Sequence, residues 1–155
     1  MIITYRKAQL DDVDLLVKLR LAFLEEDSGS AFDAVRGQVS AQLKEYFPAH
    51  IEKDCFCYLA EEYGVVMATA MLSISERPAG TRFPTGRVGR ISSVYTVPEH
   101  RRKGVASGLV KHVLSDADTM NLSFIELSAS NSGKPMYEKY GFVVRDSRHT
   151  EMIRK

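Results

Sequence analysis

The chain has 155 residues, with 21 basic and 20 acidic side chains, a net charge of +1, and 45% hydrophobic and 26% charged residues. This composition is typical of globular proteins, and we expect a single domain over residues 1–155 without nucleic-acid or anionic-membrane partners. No apolar run approaches the ~20 residues of a membrane-spanning helix and the N-terminus lacks signal-peptide features, so the sequence predicts a cytoplasmic protein.

The first third of the chain predicts one strand and two helices. The β-branched start, residues 2–6, is typical of a strand, and Asp11 or Asp12 can cap the helix that follows. A second helix is predicted over residues 33–47. Pro48 should end it, because proline lacks the N–H that the next helical hydrogen bond needs.

The middle of the chain predicts a β-hairpin and a loop. Residues 56–61 and 65–74 favour two strands, which the short turn at 62–64 would join. Two prolines and two glycines in residues 76–86 predict a loop.

The two cysteines, Cys55 and Cys57, are one residue apart and would share one face of a strand. No neighbouring His or Cys completes a zinc ligand set, so no metal site is predicted. We interpret the pair as buried thiols in a reducing compartment.

The next segment predicts a strand, a basic turn and a helix. Residues 90–97 favour a strand, which Pro98 should end because it cannot donate to a sheet ladder. A helix is predicted from about Gly104. Its apolar residues recur at steps of three and four: Val105, Leu109, Val110, Val113 and Leu114.

The start of this helix predicts an anion site. Its first peptide N–H groups lack helical partners and carry the positive end of the helix dipole, which favours a phosphate or diphosphate. Gly104, Ala106 and Gly108 add little bulk, so a ligand could approach the backbone closely. Residues 101–103 add three positive charges. The alternative is an ordinary strand-to-helix connection with a solvated basic cluster.

The end of the chain predicts a strand over 123–128, a helix over 132–140 and two strands near 142–145 and 148–153. The exposed C-terminal strands would be compatible with a homodimer. The order βααβββαβαββ predicts an α/β (α+β) domain whose mostly antiparallel central sheet has about six to seven strands and about four flanking helices.

Two segments resemble the GNAT superfamily of acetyl-CoA-dependent N-acyltransferases. Arg101-x-x-Gly104-x-Ala106 resembles its (Gln/Arg)-x-x-Gly-x-(Gly/Ala) signature, and residues 97–101 resemble the strand exit before it. Residues 135–142, Pro-Met-Tyr-Glu-Lys-Tyr-Gly-Phe, resemble its C-terminal Leu-Tyr-x-x-x-Gly-Phe element. The resemblance implies the GNAT fold, whereas Walker A and Rossmann fingerprints match poorly.

The resemblance also implies acetyl-CoA as cosubstrate, bound without a metal. Peptide amides of residues 102–107 would hold the diphosphate, with the Ser107 hydroxyl as an extra donor. Backbone groups of Tyr95 and Val97 would bind the pantetheine arm and the thioester carbonyl in a gap between strands 90–97 and 123–128, where an N–H stabilises an oxyanion. The implied cofactor-binding residues are Tyr95, Val97, Arg102, Lys103, Gly104, Val105, Ala106, Ser107, Asn131 and Lys139.

Tyr137 is the implied catalytic residue, because its phenol would protonate the departing thiolate. Its alternative role is an aromatic that packs the helix against the sheet. Asn131 would bind the cofactor arm or, like Ser132, cap the following helix. Lys139 would reach the adenosine phosphate or remain solvated.

The general base and the acceptor are not assigned by the sequence. Glu126 could be the base or a solvated strand residue, and none of the four histidines stands out. The acidic run of residues 25–27 could attract a cationic amine or simply be solvated.

The sequence therefore predicts an N-acetyltransferase that moves acetyl directly to a primary amine of a small molecule or peptide in a ternary complex. No nucleophilic Cys or Ser motif supports a covalent acyl-enzyme. The alternatives are a CoA-responsive binding or regulatory module without turnover, another acyl donor, or an oxygen acceptor.

Overall fold

The computed structural model describes residues 2–155 and confirms the mixed α/β class. Short 3-10 turns at Leu10–Asp12 and Pro98–His100 precede two of the helices. None of the described helices is both long and apolar enough to span a membrane. The elements within this range are β1 (Thr4–Lys7), α1 (Val13–Ser28), α2 (Ser30–Asp33), α3 (Arg36–His50), β2 (Cys55–Glu62), β3 (Val65–Glu76), β4 (Arg87–Thr96), α4 (Val105–Ala117), β5 (Phe124–Glu126) and α5 (Lys134–Lys139).

The strands form one sheet whose spatial order is the chain order, β1-β2-β3-β4-β5. The first four strands are antiparallel neighbours, and β5 runs parallel to β4. The predicted hairpin of β2 and β3 is confirmed. Its turn places Tyr63 at φ 50° and Gly64 at φ 76°, the paired positive angles that a tight two-residue hairpin turn needs.

The sheet has a hydrophobic core on each face. Helices α1 and α3 cover one face, where Leu59 and Tyr95 are buried. Helix α4 covers the other face, where Tyr58, Met67 and Leu72 are buried. Consecutive strand residues point to opposite faces, so the apolar run of β2 supplies both cores.

Both cysteines face the core under α1 and α3. Cys55 and Cys57 are free thiols with 0% and 2% exposure, which confirms the prediction of buried thiols. Within residues 2–155, no three His, Cys, Asp or Glu side chains are grouped so that they could hold a metal ion.

Two predictions for the helices were wrong. Pro48 lies inside α3, which continues to His50. In the last turn of a helix, proline removes one hydrogen bond without blocking the turns before it. Asp12 does not cap α1 through its side chain; its carboxylate accepts the Gln9 N–H at 2.8 Å and closes the preceding 3-10 turn.

The C-terminal strands were also predicted wrongly, because residues 142–145 and 148–153 form no strand in the described chain. Arg145 contacts β5 through side chains only, with a 2.6 Å ion pair to Glu126. Val143 and Val144 are 86% and 73% exposed, so their strand propensity has no neighbouring strand to pack against. The central sheet has five strands instead of the predicted six to seven, and the homodimer expectation loses the exposed C-terminal strands on which it rested.

Candidate active site

Strands β4 and β5 pair along only a short stretch and then separate. The last pair is Arg90 with Glu126, after which β5 ends while β4 continues along β3 to Thr96. We call the space beside residues 91–96 of β4 the wedge. It lies within the gap that the sequence predicted between strands 90–97 and 123–128.

A β-bulge sets which peptide groups of β4 face the wedge. The register of β3 and β4 shifts between Thr69 and Met71, and Ser93 opposite them has φ 54°. Beyond the bulge, the Val97 N–H donates to the Met67 carbonyl at 2.9 Å, so it is not free for a ligand, contrary to the expectation from the sequence. Because peptide groups alternate along a strand, those of Thr96 point away from β3, toward the wedge.

The basic turn after β4 has a cupped backbone. Arg102 has φ 62° and Gly104, the residue before α4, has φ 75°. The peptide N–H groups of residues 102–107 have no hydrogen-bond acceptor anywhere in residues 2–155. Successive free N–H groups at the positive end of a helix are suited to bind phosphate oxygens.

The turn opens into a cavity of about 670 Å³ between α4 and α5. Helix α5 contributes Pro135, Met136 and Lys139 to its wall, opposite residues of the basic turn and the first turn of α4. The side chain of Val105 packs in the core, so this residue can offer a ligand only its backbone. His100 also borders the cavity, and its Nδ1 is the one buried side-chain nitrogen or oxygen in residues 2–155 that lacks a partner.

Ser107 is hydrogen-bonded to Tyr140, a residue that the sequence analysis did not assign to the site. The phenol of Tyr140 donates to the Ser107 carbonyl at 3.0 Å, and the two hydroxyl oxygens are 2.8 Å apart. Since the phenol has one proton, the Ser107 hydroxyl donates to Tyr140 in this arrangement. It therefore has no proton left for a diphosphate, and Ser107 can offer only its backbone N–H.

Packing against β1 explains why position 108 is a glycine. A Cβ at this position would overlap the hydroxyl of Tyr5 on β1. The expectation that Gly108 makes room for a ligand is wrong, because the room is taken by this tyrosine. A Cβ at Gly104, in contrast, would meet no heavy atom within 4 Å, so glycine is favoured there by its backbone angle.

Tyr137 lies on the side of α5 away from the 670 Å³ cavity. It borders a larger groove of about 1160 Å³ that also contains Phe124, Leu127 and Phe142. The phenol is 8% exposed, packs edge-on against Phe142 at 5.9 Å, and has no hydrogen-bond partner in residues 2–155. Burial raises the pKa of Tyr137, so its proton is retained at neutral pH.

Asn131 is exposed and does not border either cavity. Neither Asn131 nor Ser132 caps α5. The N-cap residue is Gly133, and no side chain caps the helix; the Ser130 hydroxyl accepts the Gly133 N–H at 3.1 Å in the turn that precedes it.

Arg101 forms a junction that the sequence could not show. Its guanidinium is 2.7 Å from a Glu26 carboxylate oxygen, donates to the Thr96 carbonyl at 2.9 Å, and lies over the Tyr95 ring at 5.5 Å. The hydrogen bond from Arg101 holds the pKa of Glu26 below its usual range. Burial, followed by the charge of Glu26, raises the pKa of Tyr95.

Most of the acidic residues considered as a general base or as a site for a cationic amine form ion pairs with arginines. Glu126 lies 2.6 Å from Arg145 and 3.8 Å from Arg90. In the acidic run, Glu26 pairs with Arg101, and Glu25 pairs with Arg36 at 3.1 Å. Two of the three carboxylates that could attract a cationic amine are thus neutralised within the chain.

Three of the four histidines lie away from the 670 Å³ cavity. His112 stacks on Tyr5, and His50 pairs with Asp54 at 2.8 Å. His149 is exposed in the C-terminal segment. None of these three borders the 670 Å³ cavity.

Comparison with known families gives one match. The model of the acetyltransferase (GNAT) family matches residues 21–142, which is most of the chain. Comparison with curated proteins gives no match.

Solved structures share the fold over nearly the whole chain. A predicted acetyltransferase from Clostridium acetobutylicum, solved with acetyl-CoA, is 30% identical with a TM-score of 0.82, over 99% of this chain and 96% of that one. An N-acetyltransferase from Ralstonia eutropha is 22% identical with a TM-score of 0.79, over 97% and 98% of the two chains. Glucosamine-6-phosphate N-acetyltransferase from Arabidopsis thaliana is 20% identical with a TM-score of 0.68, over 99% and 100%. The last two similarities concern the fold alone.

Proposed function

The chain belongs to the GNAT acetyltransferase family, and on that premise we propose that it is a single-domain N-acetyltransferase that transfers acetyl from acetyl-CoA directly to a primary amine. The observation that carries the proposal is the row of free peptide N–H groups at residues 102–107. All of these residues except Lys103 border the 670 Å³ cavity, which Lys139 also lines, so an anionic diphosphate would find both hydrogen-bond donors and positive charge.

The residues of the site fit coenzyme A. The basic turn would hold the diphosphate through backbone amides, and Lys139 across the cavity would compensate a further phosphate charge. The pantetheine arm would lie in the wedge and bond the peptide groups of β4 that do not pair with β3. We assign the hydrogen bond to the thioester carbonyl to the N–H of Thr96. The N–H of Val97 is not available for it, because it donates to the Met67 carbonyl.

When bound, acetyl-CoA would supply an activated acetyl thioester. The Thr96 N–H would polarise its carbonyl, an interaction of the kind that contributes roughly 3 kcal/mol to catalysis. Tyr137 would hold a proton at its phenolic oxygen for the departing sulfur. In the overall reaction the amine nitrogen gains the acetyl group and loses a proton, the C–S bond breaks, and the sulfur leaves as a thiol.

Direct transfer is supported by the position of the two thiols. Cys55 and Cys57 are enclosed in the core under α1 and α3, where no acyl donor could reach them. The acceptor must still lose a proton, because an alkyl amine with a pKa near 10.4 is almost wholly charged at neutral pH. Since Glu126 is bound by two arginines, we assign this step to water in the wedge rather than to a carboxylate.

The acceptor is proposed as a small molecule or peptide with a primary amine, in the cytoplasm and without nucleic-acid or membrane partners. The named relatives support this class: one acts on glucosamine 6-phosphate, and another structural neighbour, from Brucella melitensis, is a ribosomal-protein-alanine N-acetyltransferase. At 20% and 14% identity these two leave the choice of amine to experiment.

Calorimetry and a thiol-release assay test the proposal together. Coenzyme A should bind to the purified protein, and acetyl-CoA should release free thiol with at least one of four amines: glucosamine 6-phosphate, spermidine, a peptide with N-terminal alanine and a lysine peptide. Absence of coenzyme A binding would overturn the proposal. Binding without thiol release from any amine would instead favour a CoA-responsive regulatory module.

A further inference from the structure

Helix α5 is joined to the rest of the protein by few hydrogen bonds. Every backbone hydrogen bond of residues 130–142 lies within that segment. Among its side chains, Tyr140 is the only one that forms a hydrogen bond or ion pair with any other part of residues 2–155, and its partner is Ser107. The position of α5 relative to α4 therefore depends on this one pair and on apolar packing.

The pair joins Tyr140, which follows α5 directly, to the first turn of α4. The phenol donates to the Ser107 carbonyl at 3.0 Å, and its oxygen accepts the Ser107 hydroxyl at 2.8 Å. Both bonds are partly buried, so they are stronger than the same bonds at an open surface. Two bonds to one residue restrict the direction of the phenol as well as its distance.

Tyr140 is linked in turn to Tyr137. The Tyr140 N–H donates to the Tyr137 carbonyl at 3.0 Å, and the Phe142 N–H donates to the same carbonyl at 3.1 Å. The Phe142 ring also packs edge-on against the Tyr137 ring. Because these links are short, a displacement of Tyr140 from α4 would move the Tyr137 phenol with it.

We propose that Ser107 and Tyr140 form a latch between α4 and α5, in which Tyr140 is a positioning residue for Tyr137. This inference rests on the proposed function, in which Tyr137 holds the proton for the departing sulfur. The latch also accounts for the serine at position 107, whose hydroxyl bonds α5 and is not free for a diphosphate. Loss of the latch should misplace the acid, whereas the peptide amides of residues 102–107 would remain in place to bind the coenzyme.

Hydrogen–deuterium exchange of the protein without ligands tests the latch itself. Tyr140→Phe removes both bonds and should speed exchange at residues 134–142 by roughly fivefold, as expected for the loss of about 1 kcal/mol of hydrogen bonding. Ser107→Ala leaves the bond from the phenol to the carbonyl and should have a smaller effect. Tyr5→Phe is the matched control, since it removes a phenol oxygen that lies against Gly108 of the same helix and outside the latch. Unchanged exchange in Tyr140→Phe would overturn the latch.

Steady-state kinetics with the best amine of the panel test the positioning role. Tyr140→Phe should lower kcat by roughly tenfold and leave the Kd of coenzyme A within about twofold of the wild type, because small errors in the position of a catalytic group are costly in rate. Tyr5→Phe should leave both quantities unchanged. In a Tyr137→Phe background, Tyr140→Phe should lower kcat by less than about twofold, because the acid that it positions is already absent.

A merely structural tyrosine would give different results. A further loss of roughly tenfold on adding Tyr140→Phe to Tyr137→Phe would mean that the two residues act independently, and would overturn the positioning role.

The affinity of Ser107→Ala for coenzyme A separates the latch from a direct contact. With the hydroxyl bonded to Tyr140, this variant should bind coenzyme A within about twofold of the wild type. A Kd raised by roughly tenfold would identify the hydroxyl as a ligand of the coenzyme and overturn the latch. Failure of the wild type to bind coenzyme A would overturn the proposed function and, with it, the positioning of an acid, whereas the exchange measurement would still decide whether Tyr140 joins the two helices.

Discussion

Gly108 of α4 lies directly against the phenol of Tyr5 on β1, so that a Cβ at position 108 would overlap the Tyr5 hydroxyl and lie 2.8 Å from the ring carbon that bears it. The glycine therefore allows α4 to approach the edge strand of the sheet. Position 104, four residues earlier, has free space and a left-handed backbone. The two glycines of the same segment should thus respond differently to the same substitution.

Gly108→Ala should lower the free energy of unfolding by about 1–3 kcal/mol, because the added methyl group pushes α4 from β1. Adding Tyr5→Phe should recover part of this loss, since it removes the overlapping oxygen. Urea denaturation gives both values. A Gly108→Ala protein of full stability that binds coenzyme A poorly would show that the glycine serves the ligand after all.

Gly104→Ala should instead weaken coenzyme A binding, because alanine disfavours the left-handed backbone that presents the free amides, by about 1–2 kcal/mol. Gly104→Asn is the matched variant, since asparagine tolerates this conformation better, and it should lose less affinity. Calorimetry with coenzyme A compares them. Equal losses for the two variants would point to a steric cause rather than a conformational one.

Tyr137→Phe should lower kcat by roughly 10²–10⁴-fold with little change in the Kd of coenzyme A, as expected for loss of a general acid. Burial raises the pKa of Tyr137, so its phenol should stay protonated up to and beyond pH 10 and should not limit kcat below that pH. Steady-state kinetics over pH 6–10 measure this, with Tyr63→Phe at the exposed hairpin turn as control. Full turnover by Tyr137→Phe would exclude this tyrosine as the acid.

Tyr58→Phe should destabilise the protein by about 1.5–3 kcal/mol, because the phenol donates a 2.5 Å hydrogen bond to the Asp116 carboxylate. Burial raises the pKa of Tyr58 above that in the unfolded chain. The unfolded state therefore loses this proton first, and stability should fall as pH rises above about 10. In Tyr58→Phe this fall should be shallower, which urea titrations between pH 8 and 11 would detect.

Asp12→Asn should lower the free energy of unfolding at neutral pH. It should also make the free energy of unfolding less dependent on pH under acidic conditions. Arg6 donates to both carboxylate oxygens, at 2.8 and 2.9 Å, and lowers the pKa of Asp12. Because the pKa of Asp12 is lower in the folded chain than in the unfolded chain, where it is about 3.9, the ionised carboxylate stabilises the fold above that pH. This stabilisation is lost as the pH falls through the pKa of the folded state. Urea denaturation at pH 7 and pH 3 should show this difference. Asp11→Asn, a change at the exposed neighbouring position, should have little effect.

Local patterns were sufficient for the elements that position the site. Apolar spacing predicted α4, Pro98 predicted the end of β4, and Gly104 predicted the start of the helix. Each of these signals depends on residues that are adjacent in sequence. The basic turn could therefore be located between β4 and α4 without any knowledge of the tertiary structure.

Contacts between distant residues could not be predicted in this way. Arg101 and Glu26 are 75 positions apart, and Ser107 and Tyr140 are 33 apart, so no periodicity connects them. A strand was predicted near residues 142–145, although a strand also needs a neighbouring edge within reach. The basic turn was recognised, but the contacts of Arg101 and Ser107 within the chain required the folded geometry.

The order of the strands has a consequence for synthesis on the ribosome. Strands β1 to β4 and helices α1 to α3 are all encoded before the basic turn, so the antiparallel meander can assemble while α4 is still inside the exit tunnel. Until α4 emerges, the sheet face with Tyr58, Met67 and Leu72 is bare. A chain stopped at Val97 should therefore bind hydrophobic dyes and chaperones, and this exposure should end when α4 emerges and covers the sheet.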